Sequence, residues 1–372
     1  MPTQTPEFVP GLELSRVFYE EAVRPILDAA FPGLCYAAAR VGTGSEVLGF
    51  DTARSTDHEW GPRLSLFLDP QDASVYGADL HELLRERLPK HVRGWPTHFH
   101  HADPDDPIGR MAMTDGPVNH RVWLTDVSRW LYDQLGLDVG SGEPTVRHWL
   151  AMPQQKLCEV TGGAVFHDEL GTLTAARRRL AWYPDQVWRY LLACQWQRIA
   201  QEEAFVGRCA EVGDDLGSAV VAGRLVRDLM RLCLMLGRRY APYNKWLGSA
   251  FQELSVAERL TPALHGAVTA ERSSARERHL CDAYELVAAA QNATSLAEPV
   301  DPTRRLYHGR PFRVLHAERF ARALAQTITD PALRALPLSG AVDQWADNTD
   351  FLAWKPPVHA AIDALGRNGL DQ

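Results

Sequence analysis

Gly44-Ser45 and Asp57-x-Glu59 are the residues of this 372-residue chain whose types and spacing suit a definite chemistry, that of phosphoryl groups. A Gly-Ser turn closing an apolar run exposes backbone N–H groups, and a helix beginning there adds its positive end; both favour phosphate. Asp57 and Glu59 stand two residues apart, so on a strand their carboxylates leave the same face and can share one or two Mg²⁺ ions. Such ions neutralise charge on a phosphoryl group in transfer and align the attacking hydroxyl. Taken singly, each element also reads as an ordinary loop or a solvated strand face, because short motifs match by chance. Their order and their strand-turn-strand setting argue for the chemistry.

The elements that must position these residues follow from periodicity. Leu34 to Val41 is an apolar run of strand length, Gly42 to Ser45 is turn chemistry, and a second strand is expected from about His58 to Leu68. Pro62 is an oddity there, since it cannot donate a ladder hydrogen bond and points to an edge or bulge. Upstream, Leu14, Val17, Phe18 and Ala22 recur at helical spacing and continue to Ile26 and Leu27 across Pro25, where a kink is expected. Leu80, Leu83, Leu84 and Leu88 mark an amphipathic helix. Residues 94–117, rich in His, Asp, Pro and Gly, read as a long surface loop. Val118 to Thr125 returns to strand chemistry, Val127 begins a helix that Gly136 can cap, and Ala164 to His167 is a further short strand. Beyond Tyr183-Pro184 the pattern is helical over 185–203, 216–240, 245–254, about 268–291, and 317–327. The expected class is α+β: a mixed-sheet domain over 1–182 followed by an all-α helical bundle over 183–372.

A Gly-Ser turn followed about ten residues later by an acidic-x-acidic strand resembles the motif of the nucleotidyltransferase superfamily, the DNA polymerase beta-like fold. The motif-bearing part covers roughly residues 30 to 170, and the helical half resembles the substrate-side domain of antibiotic nucleotidyltransferases. The whole chain is similar to a bacterial nucleotidyltransferase-like family of no assigned activity, through its Tyr240-Ala241-Pro242-Tyr243-Asn244-Lys245-Trp246 and Gly340-Ala341-Val342-Asp343-Gln344 segments. The resemblance implies Mg²⁺-dependent transfer of a nucleoside monophosphate from a nucleoside triphosphate, ATP foremost, to a hydroxyl of a small acceptor, with pyrophosphate leaving. Gly44 and Ser45 would hold phosphate, and Asp57 and Glu59 the metal.

The superfamily commonly adds a third carboxylate on a later strand. Here Trp123 occupies that slot; Asp126, just beyond it, is the preferred substitute, with Glu159 and Asp168 as the other candidates and a turn role the plainer reading of Asp168. A helical-domain lysine commonly reaches the triphosphate in relatives, and Lys245, flanked by Tyr243 and Trp246, resembles it. Arg224, Asp228 and Arg231 fall at i, i+4 and i+7 on one helix face, either as phosphate or acceptor contacts or as a self-paired surface. The departure at Trp123 leaves a second reading open, a nucleotide-binding or regulatory module without turnover.

Composition sets the outer bounds. A formal charge of -8 argues against a broad nucleic-acid surface, and 45% hydrophobic residues suffice for a large core. The six dispersed cysteines, without a CxxC pair, read as buried free thiols. No signal-peptide pattern or membrane-length apolar run is evident, so a soluble cytoplasmic protein is expected. His98, His100 and His101, near Asp103, Asp105 and Asp106, raise a zinc reading that no cysteine supports. G-x-S-x-G, H-E-x-x-H and Walker lysine motifs are missing, which sets hydrolase and P-loop readings aside.

Overall fold

The alanine-rich strand Tyr36–Arg40 (β1) is buried at every residue, as a strand covered on both faces must be. In the computed structural model, which describes residues 6–101, 108–136, 142–353 and 358–364, β1 lies between Arg63–Leu68 (β2) and Ala164–Asp168 (β4), antiparallel to both. Arg121–Thr125 (β3) pairs in parallel with β2 at the far edge, giving the order β3-β2-β1-β4. On one face Ala38, Leu64, Leu66, Leu68 and Val122 pack with Leu14, Val17 and Phe18 of the N-terminal helix and with Leu80 and Leu84 of helix Pro70–Arg87. A mixed sheet with helices, followed by a largely helical region, makes the chain α+β.

The chain divides into two compact units, Met1–Glu143 with Lys156–Ala181, and Pro144–Gln155 with Trp182–Gln372. The sequence reading puts residues 144–155 with the sheet; helix Val146–Ala151 instead belongs to the second unit. There Trp149 meets Tyr183 edge-on at 5.4 Å, and the Gln154 N–H reaches Asp343 at 3.2 Å. These partners lie far along the sequence, where local periodicity carries no information about them.

Three local differences have physical causes. The second strand begins at Arg63 and not near His58. Gly61 has φ 135° and Pro62 has no N–H, and β2 is paired on both sides, so a proline inside it would forfeit a ladder bond. Instead of a break at Pro25, the helical run is continuous from Gly11 to Ala30 and widens to a π turn over Tyr19–Val23, just ahead of Pro25, which can give no N–H to the preceding turn. Within the stretch read as a loop, His98–His101 pairs antiparallel with Gly109–Ala112. Phe99 is buried and Met111 packs on the core, too few apolar residues to show a period of two.

In the second unit, the helix expected from about 268 to 291 is Ser273–Ala293, and the sequence reading missed helix Ala257–Thr269 before it. A Cβ at Gly266 would lie 2.6 Å from the His279 ring, so glycine permits their close approach. Trp196 of helix Asp185–Glu202 is fully buried, stacks on Phe320 at 4.8 Å and donates to Gln291 at 3.1 Å. Cys194, Cys233 and Cys281 are buried, and burial pushes the Cys233 and Cys281 thiols up to about 12. Cys35 is exposed, so the buried-thiol reading fails for that residue. No helix among the described residues is long and apolar enough to cross a membrane.

Glu203 makes this unit pH-sensitive. Its carboxylate accepts the N–H groups of Leu315 and Ala317 at 2.8 Å each, fixing the start of helix Glu318–Ala325. Burial outweighs those two donors and raises its pKa from 4.5 to about 7. The folded state therefore holds this proton more tightly than the unfolded chain does. The Glu203 contribution should make stability fall as pH rises from about 4.5 to about 7 and level off above, by about 3 kcal/mol at most. Denaturation midpoints of wild type and Glu203→Gln across pH 5–8 check this: the difference between them should shift over that window, and a constant difference would refute it.

Candidate functional site

The Gly44-Ser45 bend is built over a buried ion cluster. Arg40, at the end of β1, is 1% exposed; its Nε donates to Glu46 Oε1 at 2.8 Å, Nη1 to the Val41 carbonyl at 2.6 Å and Nη2 to the Thr43 carbonyl at 2.6 Å. Arg63, at the start of β2, donates to the same Glu46 oxygen. Burial works to raise the Glu46 pKa, but the two guanidiniums outweigh it and hold the carboxyl below its usual range. Burial, with Arg63 beside it, lowers Arg40 to about 10. A Cβ on Gly44, whose φ is 154°, would lie 2.6 Å from Arg40 Nη2 and 2.8 Å from Arg63 Nη2. Glycine thus lets the backbone come down onto two cations.

The turn is pinned from outside as well. Gly42 donates to the Glu159 carbonyl at 2.9 Å and Gly163 to the Val47 carbonyl at 2.8 Å. Residues 45–49 form successive turns, with Phe50 N–H bonded to the Ser45 carbonyl at 2.9 Å. The helix envisaged at Gly44-Ser45 does not start there, so any phosphate affinity comes from the bend and the guanidiniums and not from a helix end.

Asp57 and Glu59 do not lie on a strand. Asp57 ends the 3-10 turn Ala53–Asp57 that Thr52 caps, and its exposed carboxylate lies 2.9 Å from His58 Nδ1. Glu59 holds φ 43°, a left-handed conformation that costs a non-glycine residue about 1–2 kcal/mol. The strand periodicity that would align the two side chains is therefore lost, because Gly61-Pro62 delays β2. What holds Glu59 is the 98–112 hairpin: its N–H donates to the Gly109 carbonyl at 2.9 Å and its Oε1 accepts the Gly109 N–H at 2.5 Å. Its carboxylate lies 3.6 Å from Arg63 Nη1 and 3.5 Å from Arg121 Nη2. Through Arg63 the structure brings Glu59 to the bend; Asp57 makes no such contact among the described residues.

Asp126 does not serve as the third carboxylate of this cluster. It caps helix Val127–Leu135, accepting the Arg129 N–H at 2.8 Å. Arg121 lies opposite Arg63 in the register and Thr125 opposite Phe67, so Asp126 is at the other end of the sheet, roughly 16 Å along the strand from Arg121 at about 3.3 Å per residue. Asp168 accepts the N–H groups of Gly171 and Thr174 at 2.8 Å each, the turn role its sequence setting suggests. Glu159 is buried and pairs with Lys156 at 2.7 Å. Trp123 is 43% exposed beside Ser65. The residue that meets Glu59 from β3 is a base, Arg121.

Sequence reasoning missed Arg40, Glu46, Arg63, Arg121 and Gly109. Charged residues at the ends of apolar strands, next to the Gly-Ser turn and the acidic pair, were the available signal. Among the described residues, three or more His, Cys, Asp or Glu side chains nowhere gather as a metal-holding group. His98 instead accepts the Asn119 N–H at 3.0 Å, and Asp103, Asp105 and Asp106 lie outside the described residues.

The remaining predicted residues belong to the second unit. Arg224 pairs with Glu202 at 2.6 Å, Arg231 with Asp343 at 2.8 Å, and Asp228 with Arg198 at 2.9 Å, so the face is paired with side chains of other elements and not with itself. Tyr243 donates its N–H to Gln155 at 2.8 Å just before helix Asn244–Gln252, and the Lys245 ammonium lies 4.9 Å from the Trp246 ring centroid.

Residues 149–247 match the family model of a domain of unknown function, DUF4037. No curated protein matches the sequence. Among solved structures, the chain is similar to a nucleotidyltransferase-like protein from Exiguobacterium sibiricum, at 11% identity and a TM-score of 0.34, over 96% of this chain and 92% of that one.

Proposed function

We propose that the first unit binds a Mg²⁺–nucleoside triphosphate at the Gly44-Ser45 bend and transfers its nucleoside monophosphate to a hydroxyl of a small acceptor. The carrying observation is the pair of guanidiniums, Arg40 and Arg63, under the Gly44 bend, with Glu59 reaching Arg63 on one side and Arg121 on the other. The buried Nε atoms of Arg63 and Arg121 have no hydrogen-bond partner among the described residues, and donors of that kind suit phosphate oxygens. Mg²⁺ is bound by one or two carboxylates together with substrate phosphates, and Asp57 and Glu59 supply hard oxygen donors of that type. When bound, the ion neutralises developing charge on the phosphoryl group. The arginines orient the polyphosphate.

A second reading, nucleotide binding without turnover, is favoured by two specific observations. Trp123 holds the strand position where the resemblance expects an acid, with Arg121 as the residue beside Glu59, and Asp126 is committed to a helix cap. Thermal unfolding of the full chain with Mg²⁺ and ATP, GTP, CTP or UTP tests both. A ligand present at a hundredfold its Kd adds about 2.7 kcal/mol, and Asp57→Asn and Glu59→Gln should each diminish that gain. An unchanged melting temperature at millimolar nucleotide would sink both readings. Pyrophosphate release with a pool of hydroxylated metabolites selects transfer; binding with no release selects the second reading.

A further inference from the structure

The ion-paired arginines of the second unit line a cavity of about 120 Å³, and more cationic than anionic side chains line it. Arg198, Arg224, Arg227 and Arg231 face it, against Asp228, Asp343 and Asp347. Its walls are fixed. Arg198 donates to Asp228 at 2.9 Å and to the Gln344 carbonyl at 2.9 Å, while the Gln344 side chain is held by Leu191, Gln195 and the Ala341 N–H at 3.0 Å each. Asp343 is 6% exposed; one oxygen, Oδ2, takes Arg231 and the Gln154 N–H, and the other, Oδ1, is buried with no partner among the described residues.

Arg227 is the complementary case. Among the described residues its Nε is buried without a partner, and its one ion pair is to Asp347 at 3.2 Å, whose side chain is 68% exposed. Burial, then the nearby Arg231 charge, disfavours its protonated form. Asp343 and Arg227, each with one buried polar atom short of a partner among the described residues, thus line one cavity, and each such atom costs about 1–3 kcal/mol. A single molecule with an anionic group for the arginines and a donor for Asp343 satisfies both. At about 120 Å³ the cavity is below the roughly 300–1,000 Å³ typical of drug-sized ligands, so its occupant is small. Trp345, 38% exposed, offers its ring at the margin.

We propose that this pocket binds a small phosphomonoester carrying a hydroxyl beside its phosphate, with the phosphate on Arg227 and Arg231 and the hydroxyl donating to Asp343. Phosphate is the better match than carboxylate because several guanidinium forks converge on the cavity and its terminal oxygens can occupy more of them. The proposal is independent of nucleotide binding in the first unit.

Calorimetric titration of the full chain with glycerol 3-phosphate, methyl phosphate and inorganic phosphate tests it. Glycerol 3-phosphate should bind about tenfold more tightly than methyl phosphate, the difference being the hydroxyl that meets Asp343. Arg227→Met should weaken glycerol 3-phosphate at least tenfold; with that side chain partly exposed and bonded only to an exposed aspartate, folding should survive, which a melting curve checks. Asp347→Asn should tighten binding, because it frees Arg227 from a competing carboxylate, an effect that a purely structural role would not produce. Failure of all three phosphates to bind at 10 mM, or binding unaltered in both variants, would overturn the proposal. Equal affinity for glycerol 3-phosphate and methyl phosphate would overturn the role of Asp343 and with it the hydroxylated ligand class. ATP titrated in the Arg227→Met variant should behave as in wild type, which separates this site from the first unit.

Discussion

Glu46→Ala is expected to destabilise the first unit by about 3–5 kcal/mol, the usual consequence of removing one partner from a buried ion pair. Here the cost is compounded, since Glu46 is shared by two guanidiniums that are themselves 1% and 4% exposed. Arg40 keeps its bonds to the Val41 and Thr43 carbonyls, but Arg63 loses its closest counter-charge and turns to Glu59 alone. Urea unfolding followed by tryptophan fluorescence measures the loss; a change of the size seen for an exposed pair, about 0–1 kcal/mol, would refute the buried-cluster description. A second variant separates stability from function. Replacing Arg40, Glu46 and Arg63 together by Met, Leu and Met removes all three charges at similar volume, and such replacements are often neutral or stabilising. That triple variant should regain most of the stability lost in Glu46→Ala while losing stabilisation by Mg²⁺–nucleotide.

This cluster also shows where the sequence was legible. The apolar run before Gly42 gives β1, the helical periods past Tyr183 give several of the second unit's helices though not Phe205–Glu211 or Ala257–Thr269, and Gly136 caps its helix at φ 71°. These are consequences of neighbours in the chain. The site was harder, because its geometry is decided by non-neighbours. Asp57 and Glu59 look like strand residues until Gly61-Pro62 is weighed as a barrier to β2, and Asp126, just beyond β3, looks like a substitute for the third acid until the parallel register with β2 sets it at the opposite sheet end. Parallel pairing needs a long crossover. Here that crossover runs from Leu68 to Arg121, its described residues including a helix and four short strands, and no local pattern specifies which end of β3 meets Glu59. Arg224 and Arg231 were visible as one helix face, but their partners Glu202 and Asp343 belong to other elements.

Gly163→Ala is the other substitution expected to have a large effect, and it acts on the bend from outside. Gly163 has φ 69°, immediately precedes β4, and donates to the Val47 carbonyl; a Cβ there would collide with the carbonyl oxygen of Arg40. Two costs add. A left-handed conformation without glycine is worth about 1–2 kcal/mol, and forcing an extra methyl against packed backbone typically about 1–3 kcal/mol. Gly171 provides an internal control, since it has the same φ of 69° with open space where its Cβ would go. Gly171→Ala should therefore show the conformational cost alone, and the excess of Gly163→Ala over it, measured by urea unfolding, isolates the collision. Relief of that collision requires β4 to move from the end of β1, where Arg40 pairs with Ala164, or the Arg40 carbonyl to turn. Either response shifts the guanidinium on which Gly44 rests. Gly163→Ala should thus lose Mg²⁺–nucleotide stabilisation as well as stability, whereas Gly171→Ala keeps the former. Equal losses in the two variants would mean that the glycine before β4 serves only its own backbone angle and not the bend.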